Sequence, residues 1–280
     1  MRSAKAAAGS ALLAALLFGA TTPAAKVLLD ETDPFVLAGL LYLGSGLALW
    51  LASLARGRRV LSGFSRGDLP WLGGAIASGG IIAPVSLLWG LSRVSAAPAS
   101  LLLSFEAPFT ALLGALFFRE HVGARVGLAL GLVTAGGVVV GGGRFGPAEG
   151  AGIAAVTLAC LGWALDNNLT REIIHADARA IAMVKGLVAG PVTLAAALAL
   201  GGTLPAPPGA LAALVVGGLG YGVSLVLYIS ALREIGSSRT AGCFATAPFV
   251  GAAVSVAWLG EPLSIRLAAA GALMGAGLWA

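Results

Sequence analysis

Residues 101–120 read LLLSFEAPFTALLGALFFRE, and residues 241–261 read AGCFATAPFVGAAVSVAWLGE. The triplet Ala-Pro-Phe and a later Glu occur in both, 140 residues apart at the triplet and 141 apart at the Glu, so the second half of the chain repeats the first. Each copy holds an odd number of apolar segments, and an odd-numbered unit that repeats in a membrane must enter the second time from the opposite side. The sequence therefore predicts an inverted pseudo-two-fold, the arrangement of transporters that work by alternating access.

The composition is typical of a membrane protein. Of the 280 residues, 58% are hydrophobic and 10% are charged, too few charges to cover the surface of a soluble domain. Apolar runs of about 20 residues, each long enough to cross ~30 Å of hydrocarbon, fill nearly the whole chain. We predict an all-α membrane protein with ten transmembrane helices, arranged as two inverted five-helix repeats. The predicted helices are residues 6–29, 34–55, 69–91, 96–118, 123–141, 148–168, 178–200, 209–232, 238–259 and 264–280.

The seam between the repeats is a glycine-rich stretch at residues 141–147. It divides the chain into a first repeat at residues 1–143 and a second, inverted repeat at residues 148–280. No strand precedes the glycines and no Gly-Lys-Ser/Thr follows them, as a phosphate-binding loop would require. The stretch is therefore predicted to be a flexible connection.

The first apolar segment has some features of a secretory signal, because basic residues precede it. However, Phe18-Gly19 within it returns as Leu161-Gly162 in the segment that opens the second repeat, so its removal would leave one copy a helix short. Most of the 17 Lys and Arg residues lie at the amino terminus and in the even-numbered loops, while the odd-numbered loops hold few, among them Lys26. By the positive-inside rule, both termini are predicted to face the cytoplasm.

Glycine spacing predicts where helix backbones meet. Glycines recur at four-residue steps within predicted helices: Gly123, Gly127 and Gly131, then Gly186 and Gly190. Small residues at this step let helices approach closely, and we expect these to pack within the subunit. The denser run at residues 217–222 indicates either a thinned helix beside a cavity or a crowded crossing point.

Proline positions predict helix bends. Each proline inside a helix frees the carbonyl four residues earlier, and in hydrocarbon that carbonyl needs another partner. The prolines inside predicted helices are Pro23, Pro84, Pro108, Pro191 and Pro248. Pro108 and Pro248 are repeat mates near mid-helix, which predicts matching bends in the two halves.

Glu106 is the ionisable residue predicted to lie deepest in the membrane. It stands ten residues into its apolar segment, and at about 1.5 Å per residue it lies roughly 15 Å deep, near the midplane. A carboxylate there costs several kcal/mol unless it is protonated, paired or hydrated. We expect either a protonated acid bonded to a neighbouring helix or a site for a substrate amine or a proton. Its repeat mate is Thr246, so only one half carries the acid.

Other polar and aromatic residues are candidates for a central substrate cavity. Asp166 and Lys185 lie toward the cytoplasmic ends of their segments, where each could be solvated or the two could form an ion pair that gates the cytoplasmic side. The substrate-binding candidates bring polar atoms deep into the helices. They are Tyr42, Ser104, Glu106, Trp163, Tyr221 and Thr246.

The repeated stretch resembles a known family. The first copy, at residues 101–120, and the second, at residues 228–262, are similar to the EamA repeat of the drug/metabolite transporter superfamily. The first copy departs from the usual Gly-Glu pair, since it has Arg119-Glu120. The resemblance covers nearly the whole chain and implies a ten-helix fold around a central cavity, in a transporter of the bacterial inner membrane that exports amino acids and related metabolites. In size and layout the chain is also similar to a bacterial aromatic amino-acid exporter.

Two transport functions remain open from the sequence. The first is export of amino acids, aromatic or large neutral, in which a midplane carboxylate meets the substrate ammonium and freed backbone groups meet its carboxylate. The alternative is proton-coupled efflux of cationic drugs, with Glu106 exchanging protons for the cation. Proton coupling and facilitated diffusion are both compatible with the sequence.

An enzyme is not expected. Only His121 and His175 are present, no cluster has the spacing of metal ligands, and no serine has a Gly-x-Ser-x-Gly setting. We expect a small-molecule substrate and a lipid bilayer as the partners, with no cofactor, no metal and no nucleic acid. Ten helices can enclose a cavity as a monomer.

Overall fold

A computed structural model describes residues 4–55, 64–118, 123–141, 146–173 and 175–279. The predicted linker residues 142–145, the motif residues Arg119 and Glu120, and His121 lie outside these ranges. Within the ranges the chain is helical and contains no strand, which confirms the all-α prediction.

The helices are numbered α1 to α10 in chain order. They are α1 (Ala4–Leu28), α2 (Pro34–Leu54), α3 (Arg66–Leu91), α4 (96–118), α5 (Ala124–Gly141), α6 (Pro147–Arg171), α7 (Ala178–Ala199), α8 (Pro207–Ile235), α9 (237–259) and α10 (Ile265–Trp279). Among the described residues, 8 helices are long and apolar enough to cross a membrane, while α5 and α10 are apolar but shorter. The chain is therefore a multi-pass membrane protein, and helix length supports eight of the ten predicted spans.

Four helices are interrupted near mid-length, and the interruptions come in repeat-related pairs. α3 and α8 each contain a π-helical segment, and α4 and α9 are each split into two α-helical halves. The π segments are Ile76–Ile82 and Gly218–Val223. The halves are Ala96–Leu102 and Glu106–Phe118 in α4, and Ser237–Phe244 and Ala247–Leu259 in α9.

Three of the prolines lie at these interruptions. Pro84 follows the π segment of α3 directly, and Pro108 and Pro248 lie in the first turn of the second halves of α4 and α9. A proline fits a first turn because its missing N–H would have no helical partner there. Pro23 and Pro191 lie inside α1 and α7, which continue through them.

Helix packing follows the repeat. α2 packs along its repeat mate α7, α5 packs along α10, and the contact of α3 with α6 has its mate in the contact of α1 with α8. Glycines bring the backbones together: a Cβ atom at Gly217 would lie 2.0 Å from the Leu41 carbonyl oxygen, and one at Gly44 would lie 2.2 Å from that of Leu214. The dense glycine run of α8 therefore includes a crowded crossing with α2, and most of it forms a π segment.

One prediction from glycine spacing is wrong. The glycines of α7 do lie against α2, but nothing in the described residues lies within 4 Å of a Cβ atom built at Gly123, Gly127 or Gly131 of α5. α5 instead contacts α10 through its other face, where Gly136 meets the Met274 side chain. The four-residue step identifies residues that share a face, but it does not identify the helix that covers that face.

Candidate functional site

A cavity of about 450 Å³ lies where the two repeats meet. Its lining comes from α1, α2, α4, α6, α7, α8 and α9. A second space of about 500 Å³ shares Glu106, Thr110 and Asn167 with the first and continues between the second half of α4 and the first half of α9. The two spaces adjoin each other along these shared residues, and we refer to them together as the cavity.

The two ends of this cavity differ. At the closed end, the first half of α4 packs against the second half of α9, so closely that a Cβ atom at Gly251 would lie 2.7 Å from Ser100 Oγ. The repeat mates of these halves are the second half of α4 and the first half of α9, and in the described residues the second space lies between them. Arg171, at the end of α6, and Leu278, near the end of α10, line this open end.

Two charged side chains hold the α3–α4 loop at the closed end. Glu261, between α9 and α10, accepts hydrogen bonds from the backbone N–H groups of Ala96 and Ala97 at 2.6 and 2.7 Å. Lys26, in the last turn of α1, donates to the carbonyl of Leu91 at the end of α3 at 2.7 Å and to that of Val94 in the loop at 2.9 Å. A carboxylate at a helix N-terminus and an ammonium at a C-terminus both complement the helix dipole. We call the contact of Glu261 and Lys26 with residues 91–97 the closed-end latch.

α6 forms a polar wall of the cavity through residues on one helix face. Trp163, Asp166 and Asn167 have the spacing i, i+3, i+4 that places side chains together. Asn167 Nδ2 donates to Glu106 Oε1 at 3.0 Å and to Thr110 Oγ1 at 3.2 Å. Glu106 is the first residue of the second half of α4, where the helix dipole stabilises a negative charge. The wall thus holds one carboxylate at a helix N-terminus with an amide beside it.

The π segment of α3 supports the same wall. Trp163 Nε1 donates to the Gly79 carbonyl at 3.0 Å, and the Tyr42 hydroxyl donates to it at 2.5 Å. A π-helix spaces its hydrogen bonds by five residues, and Pro84, five residues beyond Gly79, has no N–H to donate. The carbonyl that receives side-chain donors is therefore that of Gly79, whereas α-helical spacing predicts that of Gly80.

Asp166 and Lys185 form an ion pair in the cavity wall. Lys185 Nζ bonds to Asp166 Oδ2, and Thr170 Oγ1 donates to Asp166 Oδ1 at 3.0 Å. Asp166 also packs onto α3, since a Cβ atom at Gly79 would lie 2.1 Å from Oδ2. The side chain of Asp166 is 7% exposed and that of Lys185 is 16% exposed. The side chain of Asp166 is therefore the more enclosed of the two, and that of Lys185 is the more accessible.

Aromatic rings supply much of the remaining lining. The Phe18 ring centroid lies 5.7 Å from that of Tyr221 and 5.2 Å from that of Phe244. Tyr221 lies 5.6 Å from Tyr42, and Tyr228 lies 5.1 Å from Phe244. These are ordinary distances for interacting aromatic pairs. The five rings form an aromatic cluster that borders the same space as the polar wall.

The structure brings most of the predicted site residues together. Those that line the cavity are Tyr42, Ser104, Glu106, Trp163, Asp166, Lys185 and Tyr221. Thr246 lines neither of the two spaces: its hydroxyl donates to the Cys243 carbonyl at 2.7 Å, and it lines an adjoining groove with Lys5 and Arg239. Its place in the turn between the halves of α9 lets the hydroxyl reach that nearby carbonyl. Among the described residues, no three His, Cys, Asp or Glu side chains are placed to hold a metal ion.

Sequence reasoning missed several cavity residues. They are Phe18, Thr110, Asn167, Tyr228 and Phe244. Helix periodicity could have found three of them. Thr110 follows Glu106 by four residues, as Asn167 follows Trp163, and Tyr228 follows Tyr221 by seven. The two phenylalanines carry no such signal, since they come from α1 and α9 and lie in the same cavity only in the folded protein.

Comparison with known proteins finds similarity at the level of family, sequence and structure. The sequence profile of the EamA-like transporter family matches residues 5–142 and, a second time, residues 150–280. An uncharacterized transporter from Methanothermobacter thermautotrophicus (strain Delta H) is 29% identical over 288 aligned positions, which cover 96% of this chain and 84% of that protein. A protein of known crystal structure superposes with a TM-score of 0.70 at 22% identity, covering 98% of this chain and 95% of that chain. At that identity the likeness concerns the fold alone.

Proposed function

Because the chain belongs to the EamA-like transporter family, we propose that it is a secondary transporter that exports amino acids, aromatic or large neutral, and related metabolites. The observation that carries this proposal is the cavity between the repeats, which places charges of both signs beside the aromatic cluster. An α-amino acid has the matching groups: an ammonium, a carboxylate and a side chain. The volume of about 450 Å³ falls within the range of about 300–1,000 Å³ typical of small-molecule sites.

Glu106 is the group that we assign to the substrate ammonium. Its carboxylate lines both parts of the cavity and is oriented by Asn167. Its repeat mate Thr246 lines the adjoining groove and neither of the two spaces, so the repeat does not supply a second polar group at the corresponding place in the cavity. A charged group in a membrane-embedded cavity is costly and usually serves a ligand or ion.

Alternating access is supported by the difference between the two ends of the cavity. The latch and the packed halves of α4 and α9 close one end, while their repeat mates leave the other end open. If the two repeats, residues 1–143 and 148–280, exchanged these arrangements, the opening would move to the opposite side of the membrane. With both termini in the cytoplasm of a bacterium, the open end would face the cytoplasm, from which an exporter loads.

Proton-coupled efflux of cationic drugs is the second candidate function. The aromatic cluster next to Glu106 favours it, because aromatic faces attract cations as well as apolar groups. In that function Glu106 would release a proton when the cation binds.

We expect Glu106→Gln to separate the two functions. The amide keeps the size of the side chain but carries no charge and exchanges no proton, so export of neutral amino acids should fall about tenfold, the effect of losing about 1.4 kcal/mol of attraction. Efflux of a cation coupled to protons should stop. Flux of radiolabelled amino acids and of a cationic dye in proteoliposomes, with and without an imposed pH gradient, measures both.

The matched control for this test is Glu172→Gln, which makes the same change at an exposed residue just after α6. It should leave both fluxes unchanged. Full activity of Glu106→Gln toward every substrate would contradict the assignment of Glu106. Failure of the unmodified protein to move any of a broad amino-acid panel would contradict the leading function.

A further inference from the structure

We propose that Lys185 binds the carboxylate of the substrate, so that the protein selects zwitterionic α-amino acids against the amines that lack this group. The inference rests on the proposed function and deepens it. It also changes the role of Lys185 from the gate that the sequence suggests to a residue of the binding site.

Only part of the hydrogen-bonding capacity of the Lys185 ammonium is taken up by the described residues of the protein. An ammonium has three N–H donors, and its hydrogen bond within the described residues goes to Asp166. The side chain lines the cavity and keeps 16% of its surface exposed. Two donors therefore remain for a ligand that enters the cavity, and a carboxylate accepts two such hydrogen bonds readily.

Asp166 positions this ammonium, and each of its carboxylate oxygens already has a partner within the protein. Thr170 donates to one carboxylate oxygen, and Lys185 bonds to the other. The carboxylate also packs onto Gly79 and is 7% exposed. An enclosed carboxylate offsets much of the desolvation that a lone ammonium would suffer in the membrane. The pair thus holds the Lys185 side chain at the cavity wall.

Lys185 and Glu106 face one ligand-sized space. Both line the same cavity, Glu106 from α4 and Lys185 from α7. A single α-amino acid could direct its ammonium to Glu106 and its carboxylate to Lys185, with its side chain against the aromatic cluster. An amine of the same shape would leave the free donors of Lys185 unpaired in a confined site, which weakens binding.

The test compares tryptophan, tryptamine and tryptophan methyl ester as substrates of the full-length protein in liposomes. The unmodified protein should transport tryptophan and prefer it to the other two by about 100-fold, the order expected when a ligand leaves charged donors unpaired in a confined site. In Lys185→Met, tryptophan flux should fall about 100-fold while the residual flux of the amine and the ester persists. The preference for a free carboxylate should therefore disappear in this variant.

A double variant distinguishes substrate binding from a structural ion pair. If Lys185 served only to neutralise Asp166, then Lys185→Met combined with Asp166→Asn would restore tryptophan transport and overturn the inference. Binding of the substrate by Lys185 predicts that the double variant stays as impaired as Lys185→Met. If the variants do not fold, competition on the unmodified protein decides the question, since equal inhibition by tryptophan and its methyl ester would also overturn the inference. Transport of tryptamine without any transport of amino acids would overturn the proposed function itself.

Discussion

Glu261→Gln should loosen the closed end of the cavity and raise the labelling rate of a cysteine placed at Ser100 at least tenfold. Both carboxylate oxygens of Glu261 accept backbone hydrogen bonds from the start of α4, and a glutamine has one acceptor oxygen and no charge. A carboxylate at a helix N-terminus contributes about 0.3–2 kcal/mol, and a hydrogen bond to a charged group about 1.5–3 kcal/mol. A loss of about 1.4 kcal/mol is enough for a tenfold shift in population.

Ser100 is a suitable reporter position because its hydroxyl is buried at the closed end and has no hydrogen-bond partner in the described residues. The labelling would use a maleimide in detergent micelles, with Cys243→Ser to remove the less buried of the native cysteines. Glu149→Gln removes the same charge from the exposed first turn of α6, so it should leave the rate unchanged. The same slow rate in Glu261→Gln would mean that the latch does not hold this end closed.

Gly79→Ala should nearly abolish transport and destabilise the protein. The added methyl would lie 2.1 Å from Asp166 Oδ2 and 2.5 Å from Asp166 Cβ, so α3 and α6 must separate or the pair with Lys185 must break. Overpacking costs about 1–3 kcal/mol, and disrupting a buried ion pair costs about 3–5 kcal/mol. Substrate flux in liposomes and the thermal midpoint in detergent would measure the two effects.

Gly73→Ala provides the matched control on the same helix. Nothing lies within 4 Å of a Cβ atom built there, and replacing a helical glycine by alanine stabilises a helix by about 0.5–1 kcal/mol. This variant should keep full flux and an equal or higher thermal midpoint. Normal flux in Gly79→Ala would show that Asp166 can leave its position without consequence, which contradicts the role assigned to it.

The sequence predicts the helices and several of their interruptions because both have local causes. The duplicated Ala-Pro-Phe triplet marks the same place in α4 and α9, since a proline inside a helix disrupts it wherever it occurs. The π segments are different. Gly79 within one segment packs against Asp166, and Gly217 directly before the other packs against Leu41. No α-helical pattern in the sequence encodes these contacts between helices. The carbonyl freed by Pro84 is therefore misplaced by one residue in the prediction.

The residues of the candidate site also fall into those that the sequence could predict and those that it could not. Glu106 and Asp166 could be singled out from the sequence because a charge within an apolar segment is costly and therefore conspicuous. Phe18 could not be singled out in this way, because an apolar residue within an apolar segment does not differ from its neighbours in the sequence. Lys26 is treated as a loop residue by charge counting, yet it lies in the last turn of α1. The role of Glu261 depends on a contact with Ala96, which is 165 residues away in the sequence.

The two π segments have a mechanical consequence for the helices that contain them. A π turn accommodates about one more residue than an α turn. Converting it to α-helix would shift one half of the helix by about 1.5 Å along the axis and rotate it by about 100° relative to the other half. In α3 that rotation would withdraw the Gly79 carbonyl from Trp163 and Tyr42. A change from π- to α-helix in α3 or α8 would therefore rotate one half of that helix against the other, and the side chains that border the cavity would turn with it.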